Sequence, residues 1–267
     1  MRVAICILMV LSSGIICAST DQVPTADFLS AALRYQEQAA PYVDVVYTYG
    51  SPTSASPAQM HYVRSPGVLA LDEKGKYADA KFSFDRDTSE FRLLRRNRDP
   101  LTGLIGNKPQ GTLASAAIAE TVLYNLYDGY LYQVVATGKV DPLMEDRCWK
   151  VTIASPAAPG RVYAVWLDPA TGYCPKRLQR TSDNSAATTV VTWEGYRQVS
   201  TDVWYPTAIR AIVTDPQGMK PYGKTRYEQV MTIQSVSIDK RPTKSDLLVI
   251  FPTGTLVTSG KATFTVE

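Results

Sequence analysis

Val162-Tyr-Ala-Val-Trp-Leu-Asp-Pro-Ala-Thr-Gly-Tyr-Cys-Pro-Lys-Arg-Leu-Gln-Arg180 reads as a single β-hairpin. Val162 to Leu167 is rich in β-branched and aromatic side chains, which suit a pleated, partly buried surface. Asp168-Pro169-Ala170-Thr171-Gly172 is a turn. Pro169 pre-sets φ, Asp168 can bond its own backbone, and Gly172 can take positive φ. Tyr173 to Arg180 returns. The hairpin sets the pattern of the second half of the chain, which is long strands, short turns and almost no helix.

Working outward, strands are expected at Tyr42–Tyr49, Gln59–Arg64, Ala78–Phe84 and Glu90–Arg96, then at Tyr130–Thr137, Arg147–Ala154, Thr188–Gln198, Val203–Thr214 and Arg226–Ile238. A final short strand is expected at Ala262–Val266. Two helices interrupt the first half. Thr25 to Ala39 carries Phe28, Leu29, Ala32, Leu33 and Tyr35 at helical spacing, with Thr25 as cap and Pro41 as terminator. Thr112 to Leu126 places Leu113, Ala117, Ile118, Val122, Leu123 and Leu126 on one face. Asp99 to Gly111 reads as a Gly/Pro loop. The expected fold is mainly β (α+β). It is a curved antiparallel half-barrel of roughly ten or eleven strands, with two or three helices covering the concave face.

The N-terminus has the layout of a secretory signal: Arg2, an apolar run from Val3 to Ile16, then small residues for cleavage after Ala18 or Ser19. Residues 1–19 are expected to be removed, leaving one domain over 20–267 with no linker and no fixed-period repeat. Cys17 offers an alternative, retention on a lipid anchor. No later uncharged run approaches about 18 residues. Of 28 basic side chains, only Arg2 lies in the leader, so the mature chain carries 27 against 25 acidic and a net charge of +2. That balance argues against a nucleic-acid partner.

Export with two remaining cysteines, Cys148 and Cys174, raises a disulfide. If they lie on the outer strands of a three-strand meander, the middle strand holds them ~9.5 Å apart. A disulfide needs Cα atoms within about 7 Å. Both nevertheless sit at the turn end, where a bridge past the middle strand is feasible. Both readings stand on sequence.

Nothing in the chain is arranged for catalysis. The single histidine, His61, lies on a strand edge without a Ser-His-Asp arrangement. There is no Cys/His cluster with metal spacing. Gly103-Leu-Ile-Gly106 lacks the strand–turn–helix context of a nucleotide loop. The carboxylate pairs Asp85 with Asp87 and Glu145 with Asp146 flank turns, where acids are ordinary. No enzyme activity and no cofactor is expected. The aromatic residues on strands, Tyr130, Tyr132, Trp149, Trp166, Trp193 and Trp204, are either core or the lining of an apolar cavity.

Taken in order, the helix and strands, Tyr127-Asp-Gly-Tyr-Leu-Tyr132, Val165-Trp-Leu-Asp-Pro-Ala-Thr-Gly-Tyr173, Arg226-Tyr-Glu with Ile233 and Val236-Ser-Ile238, and Leu248-Val-Ile-Phe-Pro-Thr-Gly-Thr-Leu-Val257 resemble the LolA/LolB-like outer-membrane lipoprotein-sorting superfamily. The resemblance covers most of the mature chain. It implies a half-open barrel with an apolar concave face. It implies a monomeric periplasmic carrier or chaperone for acyl chains of lipoproteins or lipids, in contact with envelope membrane proteins. It also nominates a lid arginine, for which Arg64-Ser65-Pro66 is the nearest match, with Ser65 inserted before the proline. A cell-envelope sensory or interaction module of the same fold, without transported ligand, is the alternative; a secreted hydrolase is the third.

Overall fold

Thr25 starts the first helix by accepting a hydrogen bond from the Phe28 amide through its hydroxyl. Helix α1 (Ala26–Ala39) buries Leu29, Ala32, Leu33 and Gln36, the i, i+3, i+4, i+7 face of an amphipathic helix. Tyr35, expected on that stripe, points to solvent, because it lies outside this arc. The structure is a computed structural model describing residues 23–76, 79–85, 87–107, 125–126, 129–145, 147–154, 160–182, 185–219 and 224–267. The expected signal segment, Cys17, and the expected second helix up to residue 124 lie outside the described residues.

The fold is mainly β, built on a large open sheet of 15 strands. Its first half holds β1 (Val43–Gly50), β2 (Ala58–Ser65), β3 (Val68–Lys74), β4 (Asp79–Asp85), β5 (Glu90–Arg95) and β6 (Thr102–Gly106). Two short strands, β7 (Asn125–Leu126) and β8 (Gly129–Tyr130), pair with each other and lead into helix α2 (Leu131–Ala136). Then follow β9 (Lys139–Glu145), β10 (Cys148–Ala154), β11 (Arg161–Asp168), β12 (Cys174–Ser182) and β13 (Ser185–Glu194). The small hairpin β14 (Arg197–Ser200) and β15 (Val203–Tyr205) precedes the long β16 (Ala208–Met219) and β17 (Lys224–Ser237). Helix α3 (Lys244–Leu247), β18 (Leu256–Ser259) and β19 (Ala262–Thr265) complete the chain. The sheet order is β19-β18-β6-β5-β4-β3-β2-β1-β17-β16-β13-β12-β11-β10-β9. All neighbours are antiparallel except β18 on β6, which is parallel.

The sheet therefore has more strands than the ten or eleven expected, for three local reasons. In β3, Ala70 and Leu71 are both buried, so no polar–apolar alternation marks the strand. In β6, Gly103 reads as loop, yet it is there because a Cβ would meet the Phe251 ring at 2.6 Å and Val257 at 2.9 Å. β9 carries Pro142, which an edge strand tolerates. The expected strand Tyr130–Thr137 is instead mostly α2. Leu131 and Val135, one helical turn apart, are buried in the core, and α2 packs on α1. Their spacing fits a helix as well as the alternation of Tyr130, Tyr132 and Val134 fits a strand, and packing on α1 decides between them.

The 162–180 hairpin forms as read. Asp168 accepts from the Ala170 amide at 2.9 Å, Pro169–Thr171 makes one 3₁₀ turn, and Gly172 takes φ 65°. The partners Trp166↔Arg177 and Val165↔Leu178 set its register.

Cross-strand partners share a face of the sheet. Following them fixes two faces. On the α1 face lie Val45, Tyr47 and Tyr49 of β1, Met60 and Tyr62 of β2, Leu71 and Glu73 of β3, Phe82 of β4, and Phe91 and Leu93 of β5. The same face continues through Met231, Ile209, Trp193, Val191, Leu178, Val165 and Val151. Most of these side chains belong to one continuous hydrophobic core that also takes in α1 and α2.

The opposite face differs between the two halves. Beneath β2–β5 it is covered by the C-terminal segment. Thr243 and Asp246 cap α3 reciprocally. Lys81 Nζ donates to the Ser245 carbonyl at 2.6 Å, and the Val249 amide donates to Ser83 Oγ at 3.2 Å. Val63, Ala70 and Leu94 are buried there. Phe251, from the closing Phe-Pro-Thr-Gly stretch, then lies over Gly103, and β18 extends the sheet past β6.

Candidate functional site

Helix α1 covers the apolar face of the sheet and is tied down by polar contacts. Gln36, buried on α1, donates from Nε2 to the Asp202 carbonyl at 2.6 Å and accepts at Oε1 from the Trp204 amide at 3.3 Å. This ties the middle of the last helical turns to the β14–β15 hairpin. Arg64, 5% exposed on β2, donates from Nη2 to the carbonyl of Ala40, the C-cap of α1, at 2.7 Å. A cation at a helix C-terminus satisfies an orphan carbonyl and complements the helix dipole. Phe28 meets Tyr173 edge-on, with ring centroids 5.2 Å apart. The nominated lid arginine thus lies under the end of a helix.

The aromatic residues nominated from sequence divide. Trp149 and Trp193 lie on the α1 face within the core. Trp166 lies on the opposite face, between its cross-strand partners Lys150 and Arg177, whose charges stand 5.6 and 4.6 Å from its ring. That is a cation–π stack on the face opposite α1, and it leaves Trp166 buried. Trp204, half-buried on β15, contributes its backbone amide to Gln36. Tyr130 falls on β8 and Tyr132 in α2; their side chains lie outside the described residues.

Cys148 and Cys174 start β10 and β12, on either side of β11, and no disulfide joins them. Asp168 pairs with Cys174, and Leu167 with Trp149, so β11 runs fully between the two cysteines. The middle strand does not end early enough for a bridge. Burial pushes the Cys174 thiol up to about 12. Cys174 is therefore expected to resist a maleimide at neutral pH in the native protein and to react once denatured, read by intact mass; rapid native labelling of Cys174 would contradict this placement.

A polar strip crosses the α1 face that the sequence did not single out. Tyr47 and Tyr49 alternate on β1, and Tyr47 pairs across β2 Met60 with Glu73 on β3. Tyr49 pairs with Met231, two residues from Gln229 on the same face of β17. Tyr49 Oη donates to Gln229 Oε1, and Gln229 Nε2 donates to Tyr227 Oη. Exposure rises along the strip, from Tyr47 at 1% to Tyr227 at 40%. At its inner end, Tyr47 Oη and Glu73 Oε2 are buried without a hydrogen-bond partner among the described residues. Trp193 Nε1, on the same face, is in the same condition. Burial raises the Glu73 carboxyl above its ordinary range, and burial followed by the Tyr49 and Glu73 charges raises the Tyr47 phenol. The only sequence signal was Tyr47-Thr-Tyr49, an alternation that equally describes core.

Elsewhere the chemistry is structural. His61 Nε2 lies 2.8 Å from Asp44 Oδ1 on a half-exposed strand pair. Asp85 accepts from the Asp87 and Thr88 amides and so shapes the β4–β5 turn. Among the described residues, no group of histidine, cysteine and acidic side chains is placed to hold a metal. None of the described helices is long and apolar enough to cross a membrane.

Several solved structures align with most of this chain at low sequence identity. A domain of an outer membrane lipoprotein-sorting protein from Vibrio parahaemolyticus aligns with 82% of this chain and 94% of its own, at 12% identity and TM-score 0.47. A LolA superfamily protein from Nitrosomonas europaea aligns with 84% of this chain and 97% of its own, at 10% identity and TM-score 0.48. A chain of the MucA/MucB complex from Pseudomonas aeruginosa aligns over 80% and 99%, at 10% identity and TM-score 0.23. No family model matches the sequence, and no curated protein matches it.

Proposed function

We propose that this chain, after removal of residues 1–19, is an exported, periplasmic, non-enzymatic carrier of lipids or of the acyl chains of lipoproteins. The sheet is read as a curved half-barrel whose concave side is the α1 face. The observation that carries this reading is the single apolar face running across the sheet, from Leu93 on β5 to Val151 on β10. Those strands are ten steps apart, roughly 48 Å if the sheet were flat. One hydrophobic core spanning them, with α1 and α2 packed into it, supports a sheet that bends around α1. Helix α1 is held over that face at its C-terminal half by side-chain hydrogen bonds from Gln36 and Arg64. A lid so fastened can lift without dismantling the sheet, and acyl chain then replaces helix against the apolar surface. Each methylene so sheltered is worth about 0.8 kcal/mol. Trp149 and Trp193 are the wall residues of that space.

Native mass spectrometry after mild purification is expected to show co-purifying acyl species, and added phospholipid or acylated peptide to raise the melting temperature. Ligand-free protein, together with an unchanged melting temperature, would overturn the carrier reading. If the same protein instead recovered an envelope protein in pull-down, the sensory or interaction module would replace it.

A further inference from the structure

Among the described residues, Glu73 is the one buried acid, and it lies on the α1 face. It is 7% exposed, its Oε2 lacks a partner, and its neighbour Tyr47, 1% exposed, has a hydroxyl in the same condition. A buried acceptor left unmade costs about 1–3 kcal/mol. A carboxylate costs more than a neutral group, unless a cation offsets its desolvation. Burial raises the Glu73 carboxyl above its ordinary range. Lys74 and Lys76 are exposed, Lys74 facing the other side of the sheet by strand alternation, and Lys81 donates to the Ser245 carbonyl on that other side. Arg96 spans Asp72 and Asp79 and reaches only the Glu73 backbone carbonyl. Arg64 on the same face holds Ala40. Beyond Tyr47, the strip of Tyr49, Gln229 and Tyr227 is internally hydrogen-bonded and leads outward to solvent. A site with two unmet polar atoms at its inner end and a polar track to the surface is shaped for an amphiphile bearing hydrogen-bond donors at its head.

We propose that Glu73 and Tyr47 form the receptor for a primary-ammonium head group of a bound lipid, with Tyr49, Gln229 and Tyr227 lining its way in. The inference rests on the carrier reading above. An ammonium supplies three N–H donors and a positive charge, the complement of the unmet carboxylate oxygen of Glu73 and the unmet phenol oxygen of Tyr47 on the same face. A quaternary ammonium carries the same charge without a donor and leaves both atoms unmet.

The test compares lysophosphatidylethanolamine with lysophosphatidylcholine of the same acyl chain, below micelle-forming concentrations, by titration calorimetry on the mature chain. Acyl chain, phosphate and charge are constant, and the three N–H donors are exchanged for three N-methyl groups; a preference due to bulk alone survives Glu73→Gln, one due to the donors does not. The wild-type protein is expected to bind the ethanolamine lipid about tenfold more tightly, the size of one charge-assisted hydrogen bond. Glu73→Gln is expected to reduce that preference below about twofold while keeping the choline lipid's affinity. Tyr47→Phe should lower it in part. Circular dichroism melts establish that each variant is folded. Equal binding of the two lipids by wild type overturns the head-group site and leaves the carrier reading intact. So does a preference that survives both substitutions. Binding of neither lipid overturns both.

Discussion

Gln36→Leu is expected to lower the melting temperature by about 4–8 °C, corresponding to ~2 kcal/mol in a chain of this size. The glutamine is buried and answers two backbone groups of the β14–β15 hairpin, the Asp202 carbonyl and the Trp204 amide. Leucine fills the volume and adds apolar contact, but orphans both groups. A fully buried orphan costs about 1–3 kcal/mol; these two groups are part-buried, so after the apolar gain their joint loss is set at ~2 kcal/mol. The local signature is sharper than the global one. The Trp204 amide should exchange with solvent faster in the variant than core amides of β1 or β11 do. Gly172 offers an independent route to the same contact. Its φ of 65° already disfavours a side chain, and a Cβ there would stand 2.7 Å from Gln36 Nε2. Gly172→Ala should therefore loosen the same clamp, and an unchanged Trp204 exchange rate in both variants would show that Gln36 is not what holds α1 to the hairpin.

How far the sequence carried depends on whether one periodicity dominated each segment. In the 162–180 hairpin, β-branched residues, the Asp-Pro turn and Gly172 all pointed one way, and strands and turn formed where they were read. Strand β3 escaped because the C-terminal segment buries its outer face, so both sides of the ribbon are apolar. That cover comes from residues about 170 positions later, and nothing local announces it. Gly103 had the same cause: its missing side chain makes room for Phe251, also from the C-terminus. Trp166 could not be told from Trp193 by type, since both are tryptophans on strands. Only register assigns one to the face opposite α1, buried under Lys150 and Arg177, and the other to the α1-side core. Glu73 was hidden among Asp72, Glu73 and Lys74, an apparently solvated strand end. Its burial follows from pairing with Met60, a long-range fact.

Arg64→Ala should be among the most damaging single changes on this face, at about 3 kcal/mol or 6–12 °C of melting temperature. The guanidinium is buried and donates to the Ala40 carbonyl at the point where α1 ends. Alanine removes a hydrogen bond from a charged donor, worth about 1.5–3 kcal/mol, and the packing of the arginine stem besides. Relief of the buried charge offsets part of this. Arg64→Lys keeps a cation but loses the planar fork and some reach, so it should cost less, about 1–2 kcal/mol. The lysine variant separates a latch from a mere brace. If α1 opens as a lid, a bond that is present only in the closed state sets the open population, and weakening it by about 1.4 kcal/mol raises that population tenfold. Uptake by Arg64→Lys, followed by transfer of a fluorescent phospholipid from vesicles, should then accelerate by about that factor and the apparent affinity rise with it, while release changes much less. A variant that is simply less stable, with transfer rates unchanged, would mean that Arg64 only buttresses the helix end and that α1 does not act as the lid.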